Sequence, residues 1–199
     1  MNEEVARHNR VVCCLDVKKY FPNTPSKRVY WFFHTVMRCE TDIAALLTKL
    51  ATYQGHLPTG SPLSPILAHY AYFDVWQKVA AIAKANGFTL TVYIDDVTIS
   101  GSKVSTKAVW DIKQAIHRAG LRYHKEKRYI DVPAEITGVI IRSGQLYAPN
   151  RQFKKLHEQK RDLNRPHHLA DKKAIAGRIK GLTGQLEQIR ILNSAQFPI

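Results

Sequence analysis

Apolar and polar positions alternate along the chain in runs short enough to mark out separate elements. Val11 to Leu15 is a continuous apolar run ending at Asp16, and residues 10–15 read as a short buried strand. Ser26 to about Met37 has helical character and is opened by Pro25-Ser26. Asp42 to Tyr53 predicts a second helix, with Ile43, Leu46, Leu47 and Leu50 at helical spacing. Leu57 to Pro65 (LPTGSPLSP) is a loop dense in helix breakers. One long helix is expected from Ile66 to Ala85, ended by Asn86-Gly87. Two apolar runs, Phe88 to Ile94 and Val97 to Ile99, flank Asp95-Asp96 and predict a strand pair. A helix from about Thr106 to Ala119 stops at Gly120, and short strands follow at 128–132, 135–141 and 145–147. After Pro149 the pattern becomes helix-prone, with Pro166-His167-His168 separating two stretches as a polar turn. The expectation is a mixed α/β body over residues 1–148 and a small helical appendage over 149–199.

Charge changes this picture. Lys and Arg number 30 against 16 Asp and Glu, a formal charge of +14 with a pI near 9.8. That excess suits a protein that grips phosphate backbones better than an enzyme of small metabolites. In the appendage it is one-signed: only Glu158, Asp162, Asp171 and Glu187 oppose its many lysines and arginines. No run approaches the roughly 18 apolar residues that span a bilayer, and no signal-peptide pattern opens the chain. A cytoplasmic protein without a membrane partner is expected. Cys13, Cys14 and Cys39 lack metal-ligand spacing and demand no oxidising compartment. Trp31, Trp76 and Trp110 fall in apolar helical stretches and are expected in the core.

Chemistry concentrates at Tyr93-Ile94-Asp95-Asp96. Neighbouring side chains of a strand face opposite ways, so both carboxylates reach one site only at a tight hairpin turn. Held together they repel, and a divalent cation is the simplest relief. Asp16, at the end of another strand, supplies a third carboxylate. Such a cluster binds two metal ions about 3.5–4 Å apart that clamp the oxygens of a phosphoryl displacement. Oxygen-only ligands favour Mg²⁺, with Mn²⁺ as a substitute.

Asp16-Val17-Lys18-Lys19-Tyr20-Phe21-Pro22-Asn23 resembles the first catalytic motif of bacterial reverse transcriptases, Leu57 to Pro65 the second, and Tyr93 to Asp96 the third. The extended form Tyr93 to Gly101 is most like the retron and related phage-defence group. Gly120 to Arg128 resembles the Lys-bearing fourth motif, Ile136-Thr137-Gly138 a Val-Thr-Gly element, and Ile179 to Ile189 the thumb end. The resemblance implies an α+β right-hand palm, a ferredoxin-like antiparallel sheet with helices, followed by a small helical thumb. It implies RNA-directed DNA polymerase activity on an RNA template and RNA–DNA hybrid, with dNTPs as substrates. Asp16, Asp95 and Asp96 would hold the metals, and the backbone of Val17 and Lys18 would meet the triphosphate. Phe21 would exclude a ribose 2′-OH. Lys127, with Lys125 as a rival, would donate a proton to pyrophosphate. Thr59 and Gly60 would line the nascent base pair. Lys154, Lys155, Arg161, Arg178 and Lys180 would contact the duplex.

Two departures qualify the resemblance. Thr59 replaces the second motif's usual glutamine and is too short for the same reach. The family's fingers region precedes the first catalytic strand, where this sequence has Met1 to Arg10; either another polypeptide supplies fingers, or the sequence is a fragment, or the palm is degenerate, and because the carboxylates are intact a partner chain supplying fingers is the expectation. Two other readings compete: a silent palm that scaffolds structured RNA, and an RNA-dependent RNA polymerase, against which Phe21 argues.

Overall fold

β1 (Val11–Val17) organises the first part of the chain: it pairs antiparallel with two other strands and so lies inside a sheet. The computed structural model describes residues 11–165 and 169–194, so the turn expected at Pro166-His167-His168 lies outside the described residues. Two compact units divide the chain, one running to Asp131 and the other from Val132.

In the first unit β1 is joined by β2 (Thr89–Tyr93), β3 (Asp96–Gly101) and β4 (Tyr123–Ile130) in the order β2-β3-β1-β4. The period-two pleat sorts the residues of β1. Val11, Cys13, Leu15 and Val17 join the core, whereas Cys14 and Asp16 are half-buried. That core is completed by helices: α1 (Ser26–Trp31), α2 (Thr41–Ala51), α3 (Ser64–Ala71), α4 (Phe73–Ala85) and α5 (Thr106–Arg118). α5 turns Ala108, Val109, Ile112 and Ile116 inward, and the Ser105 side chain caps it by accepting from the Ala108 N–H at 3.2 Å. Capping of this kind satisfies one of the orphan donors of a helix start.

The helix expected from Ile66 to Ala85 is two helices, because Tyr72 leaves helical geometry at φ −116°, ψ 26°. The Tyr72 ring is buried, its hydroxyl donates to the Asn23 carbonyl at 2.8 Å, and the Arg28 guanidinium lies 4.9 Å above it. This tertiary anchor outweighs local helix preference. The helix opened by Pro25-Ser26 widens into a π-helical turn over Phe32–Val36. β4 begins five residues before the strand expected at 128–132 and carries Lys125 and Lys127. Trp76 is core, but Trp110 is 56% exposed. It stands on the face of α5 opposite the buried positions, so the expectation of a core tryptophan fails there.

In the second unit β5 (Ala134–Ile136), β6 (Val139–Arg142) and β7 (Gln145–Tyr147) form an antiparallel sheet in chain order, followed by α6 (Asn150–Leu163) and α7 (Leu169–Ser194). The strand expected at 135–141 is a hairpin. Thr137 and Gly138 both take positive φ, 45° and 86°, which is the primed turn that matches strand twist. The Asn193 side chain clasps β7 by bonding both the N–H and the carbonyl of Leu146, at 2.8 and 2.7 Å. No described helix is long and apolar enough to cross a membrane.

Candidate active site

The β2–β3 hairpin closes through two residues, Ile94 and Asp95, between the paired Tyr93 and Asp96. Ile94 takes φ +55°, an uncommon conformation for a β-branched side chain. Strain of this kind costs roughly 1–3 kcal/mol and concentrates at functional sites. The turn is tied to β1, since the Val17 N–H donates to the Asp95 carbonyl at 2.8 Å. In the β1–β3 register Asp16 lies opposite Asp96. Three carboxylates from two strands and a turn are thereby brought to one end of the sheet.

β4 brings cations to the same strand end. Lys125 lies opposite Asp16, and Lys127 opposite Cys14 two residues away. The register slips between Asp16 and Val17, leaving His124 as the extra residue of a bulge. His124 Nδ1 sits 3.3 Å from Asp16 Oδ1. No sequence signal marked His124, because a bulge is a property of pairing rather than of local composition.

Asp96 shows the electrostatic imbalance of the cluster. Its carboxyl is raised above the usual carboxylate range, first by burial, then by Asp95 and Asp16, while Lys127 and Lys125 pull it back. A carboxylate raised in the fold contributes stability that is present below its ordinary pKa and lost as pH rises through the raised value. Asp96→Asn should therefore raise the Tm of the metal-free protein at pH 7, with the gain lost at acid pH where Asp96 carries its proton. Calorimetry at the two pH values checks this, and an unchanged or lower Tm at pH 7 contradicts it. Among the described residues no group of three or more His, Cys, Asp or Glu is already gathered as a metal site. The donor set nevertheless fits a hard divalent ion, being all oxygen and mutually repulsive.

Of the two aromatic neighbours in the first motif, Tyr20 is the core residue. It is buried, its hydroxyl donates to the Ala68 carbonyl at 2.9 Å, and the Trp76 indole donates to it at 3.2 Å. Phe21 is only half-buried, with its ring 6.0 Å from Tyr20. The expectation that the backbone of Val17 and Lys18 meets a triphosphate needs correction. Their N–H groups already donate to the carbonyls of Asp95 and Arg122, at 2.8 and 2.6 Å. The following N–H groups, of Lys19 and Tyr20, have no hydrogen-bond acceptor among the described residues, and Lys19 takes φ 49°. Thr59 and Gly60 are exposed in the loop joining α2 to α3, with Gly60 at φ 93°. The Ser64 hydroxyl donates to the Pro58 carbonyl at 2.6 Å and fixes the loop to the start of α3.

In the second unit Lys154, Lys155, Arg161, Arg178 and Lys180 are all exposed. Lys155 and Arg178 line a cavity of about 480 Å³ with Gln159, Gly181, Leu182 and Gln185. The structure thus brings Lys155 and Arg178 together.

The first unit is thus an antiparallel sheet that presents acidic residues from a strand end and an adjoining hairpin, with helices completing its core. Apo telomerase from Candida tropicalis, truncated from its C-terminal domain, shares the fold at a TM-score of 0.54 and 11% identity, over 70% of this chain and 35% of that one. The curated relatives of the chain are retron reverse transcriptases. The Retron Se72 reverse transcriptase of Salmonella heidelberg is 26% identical over 165 residues, 76% of this chain and 44% of the relative. The Retron Ec86 reverse transcriptase of Escherichia coli is 26% identical over 147 residues, 71% of this chain and 46% of the relative. The Retron Mx65 reverse transcriptase of Myxococcus xanthus is 29% identical over 153 residues, 68% and 34%. The chain therefore spans less than half the length of these relatives. No protein-family model matches it.

Proposed function

We propose that this chain is the catalytic part of an RNA-directed DNA polymerase of the retron or antiphage type. The observation that carries the reading is the register that sets Asp16 opposite Asp96, with Asp95 at a turn bonded to Val17. Divalent ions held by Asp16, Asp95 and Asp96 would supply the charge neutralisation that lets a primer 3′-oxygen attack the α-phosphorus of a dNTP. The new P–O bond forms as the bond to pyrophosphate breaks, and no protein nucleophile is required. Lys127, or Lys125 beside it, gives a proton to the departing pyrophosphate. The free N–H groups of Lys19 and Tyr20 form a donor pair for phosphate oxygens. Phe21 closes the site against a 2′-OH, and Thr59 and Gly60 border the templating base pair.

The basic helices α6 and α7 hold the RNA–DNA hybrid through its phosphates, as an A-form duplex is recognised by shape and backbone. Replacing Lys154 or Lys155 by Ala should weaken hybrid binding equally for all sequences and flatten the slope of log K against log salt by about 0.9 for each lysine–phosphate pair removed. An unchanged slope in a salt titration contradicts such pairing.

The proposal includes a polypeptide that supplies fingers, so the chain alone should extend a primer poorly. RNA-templated primer extension with Mg²⁺ and dNTPs tests the reading. cDNA made with the partner present supports it. RNA binding without DNA synthesis under every partner condition would favour an RNA scaffold instead.

A further inference from the structure

β4 carries one residue more than its pairing with β1 uses, and the contacts on its two faces show where that residue points. Tyr123 and Glu126 both face α5. The Tyr123 ring stacks on His117 with centroids 5.2 Å apart, and Lys113 Nζ lies 5.2 Å from the same ring while donating to the Glu126 carboxylate. Residues three apart cannot share a face of a regular pleat. The two between them, His124 and Lys125, therefore both turn to the other face, where Lys125 is the direct opposite of Asp16. A bulge that re-aims a side chain in this way is a feature concentrated beside active sites.

His124 Nδ1 ends 3.3 Å from Asp16 Oδ1. Among the described residues no other group reaches the Asp16, Asp95 or Asp96 carboxylates with a hydrogen bond or an ion pair. Charge pairing does not require the bulge, since Lys125 already stands on the Asp16 face as a cation. What an imidazole offers and an ammonium lacks is a nitrogen lone pair for a metal. Two donor atoms bound to one ion at about 2.0–2.2 Å stand roughly 2.8–3.6 Å apart, for tetrahedral or octahedral geometry alike. The His124–Asp16 spacing falls within that range. Carboxylates alone suit Mg²⁺, whereas imidazole nitrogen adds most for first-row transition ions.

We infer that the His124 imidazole is a ligand, together with Asp16, of one divalent ion at the acidic end of the sheet, and that this nitrogen makes the site prefer first-row transition ions over Mg²⁺. The inference rests on the polymerase reading for what the site does and adds to it a donor outside the three carboxylates.

Mn²⁺ alone is the probe, because its unpaired electrons report a directly bound nitrogen. Pulsed EPR of the purified chain with Mn²⁺ should show ¹⁴N modulation, and protein grown on ¹⁵N-histidine should show the ¹⁵N signal in its place with no residue substituted. His124→Gln should lose the modulation and bind Mn²⁺ about 10- to 100-fold more weakly, with Mg²⁺ binding changed by less than about threefold. Asp16→Asn should lose the modulation as well. His34→Gln, at an exposed histidine of the π-helical turn, should keep both signal and affinity. No histidine nitrogen signal in the wild type, a signal that survives in His124→Gln or Asp16→Asn, or equal losses of Mn²⁺ and Mg²⁺ affinity in His124→Gln would each overturn the inference. Primer extension with the fingers-bearing polypeptide fails separately. cDNA made by a protein without the nitrogen signal removes His124 and leaves the polymerase reading standing. A signal lost with His124, in a protein that makes no DNA under any partner condition, keeps the ligand and removes the polymerase.

Discussion

If the chain is the proposed polymerase, cDNA synthesis should fall by about 10³-fold or more when Asp95 or Asp96 is replaced by Asn, while hybrid binding should stay within about twofold of wild type. Asn keeps the size and shape of Asp and removes its charge, so the hairpin survives. The Asp95 carbonyl, not its carboxylate, accepts the bond from Val17. What disappears is the negative charge that would hold a divalent ion beside Asp16. Asp96→Asn is the sharper of the two variants, because relief of the crowding that raises its carboxyl should stabilise the metal-free fold while activity is lost. Opposite changes in Tm and rate cannot come from misfolding. Activity within tenfold of wild type for both variants would remove the carboxylates from the chemistry. The assay is RNA-templated primer extension with the fingers-bearing polypeptide present.

Phe21→Ala should raise kcat/KM for ribonucleotides by roughly 10- to 100-fold and leave that for dNTPs nearly unchanged. A pocket that merely excludes one small group is limited to discrimination of that size. The ring is half-buried beside Tyr20, so part of it is available to a substrate sugar. Tyr20→Phe is the matched control. It removes the hydroxyl that bonds Ala68 and accepts from Trp76, and it should lower Tm without altering sugar selection. If Phe21→Ala instead lowers Tm and leaves selection intact, Phe21 is a packing residue like Tyr20 and not a gate.

The sequence made the acidic end of the sheet legible because its constraints are local. Asp95-Asp96 between two apolar runs could serve one site only at a hairpin turn, and that turn is present at Ile94-Asp95. The Val11–Leu15 run was readable as a strand because continuous burial left its apolar pattern clean. Features set by tertiary pairing were not readable. β4 escaped as far back as Tyr123 because His-Lys-Glu-Lys-Arg has no apolar alternation, being an edge strand largely exposed to solvent. The break at Tyr72 depends on Asn23 and Arg28, both more than 40 residues away in sequence. The engagement of the Val17 and Lys18 N–H groups depends on Asp95 and Arg122, which no motif placed opposite them. Trp110 fails for a related reason: helical spacing identifies an apolar face, but not whether this chain itself covers it.

The central claim is that Asp16, Asp95 and Asp96 form a two-metal polymerase site, and anomalous diffraction tests it most directly. The crystal would contain this chain, its fingers-bearing partner, an RNA-template/DNA-primer duplex ending in a dideoxynucleotide, a dNTP and Mn²⁺. The account predicts two Mn²⁺ peaks about 3.5–4 Å apart, both bridged by Asp16 and Asp95 and bound to the triphosphate. Mn²⁺ on the triphosphate alone, or bound away from these carboxylates, would contradict it.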